Sequence, residues 1–384
     1  MPTLFRSVRV HDGDYDVRWS GLAVTEIAPA ASLSPGSGET VVEGGLLTPP
    51  LAEPHVHLDA ALLGAQAPNV SGTLREGIAN WAALRPKLTT DDVLSRARQT
   101  LGMYRDWGCT HVRTHVDTGS LLAVEALLSL KSEFRNLQVV AFPQEGILRA
   151  PERRAQWEAA VDMGCDAVGA IPHFERSTEE GWESVRLAFS LARKKGIDVD
   201  LHCDETDDPG SRNLEVACIE AQKGGVGHVI AGHCTAMHSY PDAYAAKVCE
   251  LVANSGVQVV CNPLDNIVLQ GRYDGYPKRR GLTRVDQLWA AGATVGIGHD
   301  SVMDPWYRLG TANLVDAAYM LVHVGHLTGE SEMKRVVRTL FTENHHCFGN
   351  VPTVGVGATC IVHWAASDEV ELLRTRPIPN VYGG

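Results

Sequence analysis

Eight short apolar runs, each ending in chemically active side chains, constrain this 384-residue chain more than any other feature. They are "LLTPPLAEPHVHLD", "HVRTHVD", "VVAFPQEG", "AVGAIPHFE", "DVDLHCDE", "HVIAGHCT", "VQVVCNPLDN" and "TVGIGHDS". With His57, Asp117, Glu145, Phe174, Asp204, Cys234, Asp265 and Ser301 as end markers, the spacings are 60, 28, 29, 30, 30, 31 and 36 residues. Six of the seven match one strand-plus-helix unit. Eight such units predict an α/β chain folded as a (β/α)8 TIM barrel, in which reactive groups gather at the C-terminal ends of the strands. A single domain of this length fits a closed barrel with additions better than any open fold.

The double-length first spacing holds "SGTLREGIANWAALRPK", read as an extra helix, and "TTDDVLSRARQTLGMYRDWG", a helix with a Thr or Asp cap and a Gly stop. Residues 58–73 are therefore expected to form a loop beside the reactive end of the first strand. Residues 1–48 alternate and turn like short antiparallel strands, and the tail "TVGVGATCIVHWAA" has the same texture. The two ends, 1–48 and 350–384, are expected to meet in one small β-sandwich beside a catalytic barrel spanning 49–349. The chain stops at "VYGG", abruptly for a strand-rich tail, which leaves room for one further strand.

A formal charge of −12 argues against a nucleic-acid partner, which would need clustered Lys and Arg. Nine cysteines lie scattered with no CxxC pair, and the first residues lack the charged-then-apolar pattern of a secretory signal. A cytoplasmic location is expected, with no membrane association, because no apolar run approaches the roughly 20 residues that span a bilayer. A small-molecule substrate and assembly as a homo-oligomer complete the expected partners.

His55 and His57 share one face of the first strand, since alternate residues of a strand do so. Alone, an HxH pair reads more readily as two partly buried structural histidines than as metal ligands. Convergence of the strand ends brings His202, His233 and Asp300 to the same space, and three or four N/O ligands with an open position describe a catalytic Zn²⁺ or Fe²⁺ site. Such a metal activates water near neutral pH. Asp300 can accept the water proton, and Glu205 can carry it to a substrate atom; a solvated strand-end acid is the plain alternative for Glu205. Gln144, a neutral donor and acceptor, suits a ring amide edge or a structural role. His115, His173, His299, His345 and His346 are read as structural, with His115 and His173 also placed to line the pocket.

Taken together, the HxH pair, the fifth- and sixth-strand histidines and the eighth-strand aspartate resemble the amidohydrolase superfamily. The resemblance extends to the bacterial cytosine deaminase family through "EPHVHLD", "SGTLREGI", "HVRTHVD", "VVAFPQEGIL", "VGAIPHFE", "HCDETDD", "TAMHSY", "YPKRRG" and "DPWYRLGTAN", in order, over roughly residues 45–350. It implies an amidohydrolase-type barrel with one Fe²⁺ or Zn²⁺ held by His55, His57, His202 and Asp300, and His233 bonded to the attacking water. It further implies that Gln144 and the Leu74 backbone hold the pyrimidine amide edge, that Glu205 protonates a ring nitrogen, and that Trp306 helps to close the pocket. The run Asp166–Glu175 contains no lysine, so the carbamylated lysine that bridges two metals in related barrels has no candidate.

One position departs from that family pattern, in which a second aspartate follows the metal aspartate: here Ser301 stands there. Ser301 is expected at the substrate's C5 edge, where a hydroxyl in place of a carboxylate removes charge and admits a 5-methyl group. The implied reaction is 5-methylcytosine to thymine, cytosine to uracil, or both, with release of ammonia. Alternatives are deamination of another cyclic amidine such as isoguanine or creatinine, hydrolysis of a cyclic amide, and a barrel retained for binding alone.

Overall fold

The computed structural model describes residues 1–384. The chain begins with β1 (Thr3–Val10), β2 (Gly13–Trp19), β3 (Val24–Pro29), β4 (Thr40–Glu43) and β5 (Leu46–Thr48). It then enters eight strands: β6 (Leu51–Val56), β7 (Cys109–Asp117), β8 (Leu137–Phe142), β9 (Ala167–Ala170), β10 (Asp198–His202), β11 (Val229–Gly232), β12 (Gln258–Cys261) and β13 (Val295–Ile297). Each of the eight runs supplies one barrel strand, the first run also carrying β5 at its start, and each barrel strand pairs in parallel with the next. The sheet closes where Val56 bridges Asp300 and the Asp300 amide donates to the His55 carbonyl at 2.9 Å. The seam of the barrel thus runs through two of the residues singled out from the sequence. Strands such as β9, "AVGA", are buried along their whole length because the barrel interior covers one face and helices the other.

Helix α1 (Leu74–Leu84) is capped by Thr73 and α2 (Thr90–Asp106) by Thr89, each side chain accepting an amide hydrogen of the first turn. Residues 58–73 form no regular element, and α1 follows them as an excursion from the C-terminal barrel face. The terminal segments build a second sheet in the order β15-β14-β5-β1-β2-β3, with β14 (Cys360–Trp364), β15 (Asn380–Gly383), and β4 parallel to β1. It encloses its own core of Phe5, Val8, Val17, Trp19, Leu47 and Ile361 among others, apart from the 77-residue core of the barrel. No helix is long and apolar enough to cross a membrane.

Below the strand ends, the barrel interior holds a polar group in which Arg113, His115 and Asp200 are fully buried. Arg113 on β7 donates to Asp200 at 3.0 Å and to Asp198 at 2.6 Å, both on β10, and His115 Nε2 lies 3.0 Å from the other Asp200 oxygen. Removing one member of such a set strands a charge in the interior. Arg113→Met is expected to destabilise the fold by about 3–5 kcal/mol in urea unfolding.

Candidate active site

Five side chains converge at the seam. His57 Nε2 lies 3.3 Å from His202 Nε2 and 3.5 Å from Asp300 Oδ1, and His55 Nε2 lies 3.8 Å from the same oxygen. His55, His233 and Asp300 can also share one ion, as can His55, His115 and His202. Both ring nitrogens of His55, Nδ1 of His202 and Nε2 of His233 are buried without a hydrogen-bond partner. Buried polar atoms are rarely left so. Burial, reinforced by the neighbouring imidazoles, holds His55 and His202 well below the ordinary histidine range and brings His57 down to about 3. Neutral imidazoles beside a carboxylate are the form a divalent cation takes, so the residues present fit one.

Local backbone aims two of these groups. His233 and Asp300 both adopt left-handed conformations, with φ of 67° in each, turning their side chains inward just past the ends of β11 and β13. At Gly232, a Cβ would sit 2.9 Å from the His55 ring, so only glycine lets β11 pass that imidazole. Within β6, Glu53 is fully buried and accepts from the amides of His55, at 2.9 Å, and His299, at 3.0 Å, tying the first strand of the barrel to the end of the eighth.

Proton-transfer groups stand beside the cluster. Glu205 follows β10, and burial pushes its carboxyl up to about 8, with Gln270 opposing. Its Oε1 has no hydrogen-bond partner and lies 3.7 Å from His233 Nδ1. Asn266 donates to that same nitrogen at 3.0 Å, and Asp300 Oδ2 lies 3.8 Å from it. His173 Nδ1 is 3.2 Å from the His202 carbonyl and 3.3 Å from the Glu205 amide, while Phe142 stacks on His202 at 3.9 Å between centroids. Gln144 is buried just past β8, at the same barrel end.

Above the cluster, the Trp306 ring lies 5.8 Å from His57 and 6.1 Å from Trp81 of α1. Gly77 permits this cover, since a Cβ there would lie 2.4 Å from Trp306. Asp117, at the end of β7, fastens α1: Trp81 Nε1 donates to it at 2.8 Å and Arg85 at 2.6 Å, and Arg85 also reaches Glu145 at 2.9 Å. Leu74 is the half-buried first residue of α1, the helix whose Trp81 packs beside Trp306. His299 and His345 take structural partners, the Thr311 amide and the Pro50 carbonyl, and His346 is exposed.

The family model described as "Amidohydrolase family" matches residues 69–340. The chain belongs to the amidohydrolase family. Among solved structures, this amidohydrolase is similar to 5-methylcytosine deaminase from Klebsiella pneumoniae in its phosphonocytosine complex, with 38% identity over 99% of this chain and 95% of that one, and a TM-score of 0.93. The same enzyme with 5-fluorocytosine superposes at a TM-score of 0.94. Pterin deaminase from Rhizobium rhizogenes is 27% identical over 79% of this chain and 71% of its own length. N-isopropylammelide isopropyl amidohydrolase from Pseudomonas sp. is 24% identical over 83% of this chain and 78% of its own. As an amidohydrolase the chain is a hydrolase, and its relatives include deaminases.

At position 301 the amidohydrolase site differs from the simple loss of a carboxylate. Ser301 is buried, and its hydroxyl donates to Asp265 Oδ2 at 2.5 Å. Asp265, on the first turn of the helix Pro263–Leu269 after β12, brings a carboxylate back to the same place from the neighbouring strand. Burial, with Asp304 and Glu205 nearby, pushes its carboxyl well above the usual range. Asp304 is also buried and accepts from the amides of Trp306 and Tyr307 at 2.9 and 3.0 Å, which fixes the turn carrying Trp306. Asp265, Asp304, Glu53 and Asn266 join the functional residues only in the folded chain. Glu53 alone carries a local signal, an acid two residues before His55 and so on the same strand face, whereas Asp265 is legible from the sequence only as a strand end.

Proposed function

We propose that this chain deaminates a free pyrimidine base hydrolytically, converting 5-methylcytosine to thymine, cytosine to uracil, or both, with release of ammonia. The observation that carries this is the convergence of His55, His57, His202, His233 and Asp300 beside a buried Glu205 whose carboxyl is pushed up to about 8. Similarity to 5-methylcytosine deaminase across 99% of the chain supports the pyrimidine.

His55, His57, His202 and Asp300 would hold one divalent ion, Zn²⁺ or Fe²⁺. When bound, it supplies Lewis-acid activation of water near neutral pH. Asp300 takes the proton released from the water on its carboxylate. Glu205, protonated at neutral pH because burial favours the neutral acid, donates its hydrogen to the ring nitrogen beside the amidine carbon. The proton on Asp300 then goes to the exocyclic nitrogen, which leaves as ammonia while the hydroxyl hydrogen on the same carbon returns to the Glu205 carboxylate and the carbonyl forms. His233, held by Asn266, hydrogen-bonds the oxygen that develops on the carbon. Gln144 and the Leu74 amide orient the amide edge, and Trp306 with Trp81 excludes bulk water and leaves little space for a sugar. Nine unpaired cysteines, eight of them buried, fit a reducing compartment such as the cytoplasm.

Ammonia release from the metal-loaded protein with cytosine, 5-methylcytosine, isoguanine, creatinine and pterin is the direct test. Turnover of the two pyrimidines at least ~10-fold above the other bases is expected, because a pocket matched to one ring's hydrogen-bonding edge strongly rejects another. A preference for pterin, the substrate named for the Rhizobium relative, would replace the pyrimidine reading with another cyclic amidine.

A further inference from the structure

We propose that Asp265 is a positioning residue that sets substrate preference through Ser301, and that the two side chains act as one exchangeable carboxylate–hydroxyl pair. The inference rests on the deaminase reading. Both residues are 1% exposed, and they reach each other from the ends of adjacent strands, β12 and β13. A serine hydroxyl has one hydrogen and two lone pairs. Asp265 Oδ2 takes that hydrogen at 2.5 Å, so Ser301 meets the pocket with a lone pair and a small methylene and offers no donor. The remaining Asp265 oxygen, Oδ1, is buried without a partner, as is Asp304 Oδ2.

This geometry makes position 301 dependent on position 265. A carboxyl introduced at 301 would meet Asp265 at hydrogen-bond distance in a buried site, where the two cannot both ionise and must share one hydrogen. The arrangement is therefore best satisfied by an acid at one of the two positions and a hydroxyl, which brings its own hydrogen, at the other. With the acid on the β12 side, the edge beside Asp300 carries a hydroxyl in place of a second carboxylate, which leaves room for a methyl substituent on the ring.

The test is a double-mutant cycle on the metal-loaded enzyme, with kcat and KM measured for cytosine and 5-methylcytosine and metal content measured in each variant. Ser301→Asp alone is expected to lower kcat/KM for both bases by about 10-fold or more. The exchange Asp265→Ser with Ser301→Asp is expected to recover about 10-fold of that loss and to move preference toward cytosine. Asp265→Ser alone should raise KM for 5-methylcytosine by about 10-fold with kcat changed less than about twofold, because it frees the Ser301 rotor without touching the reacting atoms. Asp265→Asn, whose carbonyl oxygen still accepts the Ser301 hydrogen, should keep the ratio of the two bases within about threefold of wild type. An exchange variant no better than Ser301→Asp, or an Asp265→Ser variant that alters both bases equally, overturns the inference. If wild type releases ammonia from neither pyrimidine, the pyrimidine reading falls and this inference with it; activity on them with an additive cycle overturns the inference alone.

Discussion

Asp300→Asn is expected to purify with little bound metal and to lose nearly all turnover while keeping its fold. Loss of a group that merely supports a ligand costs ~10–100-fold in metal affinity, and loss of a ligand itself should exceed that. The Asp300 carboxylate stands 3.5 Å from His57 and 3.8 Å from His55, so in the variant the imidazoles face an amide in place of an anion. Asparagine tolerates the left-handed backbone that Asp300 adopts, and the amide bond to the His55 carbonyl that closes the barrel is untouched. Metal analysis beside circular dichroism and turnover checks the outcome. Stoichiometric metal with full activity in Asp300→Asn would remove Asp300 from both of its assigned roles.

Glu205→Gln should bind substrate and retain metal yet lower kcat by roughly 10²–10⁴-fold, the range of a lost general acid. Glutamine keeps the shape and removes the transferable proton. The pH dependence carries the sign of the same argument. Burial pushes the Glu205 carboxyl up to about 8, so the proton-donating form prevails below that pH and is lost as pH rises through it. A cation in the adjacent site favours the carboxylate and moves the transition down. kcat/KM of the wild type is therefore expected to fall on an alkaline limb at or below about pH 8, and the limb is expected to vanish from the residual activity of Glu205→Gln. A limb that survives unchanged in the variant would assign it to another group.

Much of the architecture was legible because the signals are local. Near-constant spacing of apolar runs reports strand, helix and turn lengths, which the chain's own geometry dictates, and all eight runs became strands of one closed sheet. The HxH pair was legible for a similar reason, since the period of two in a strand puts His55 and His57 on one face. The Thr cap of the second helix, Thr89, was legible again as a matter of a few neighbouring residues.

Partnerships across the strand ends were not legible in this way. Nothing in "CNPLDN" says that Asp265 takes the hydrogen of Ser301, 36 residues later, because that contact needs β12 beside β13 and a helical turn to bring the acid over. Glu53 is an ordinary acid in the sequence; barrel closure buries it against the amides of His55 and His299. The order of strands and the positions of reactive residues at their ends follow from the sequence alone, since periodicity and spacing act over short stretches of chain. Which nitrogen faces which carboxylate, and that a carboxylate returns to Ser301 from the next strand, was decided only by the tertiary structure. Those contacts depend on angstrom-scale closure of the sheet and on single left-handed turns at His233 and Asp300, features that no local pattern encodes.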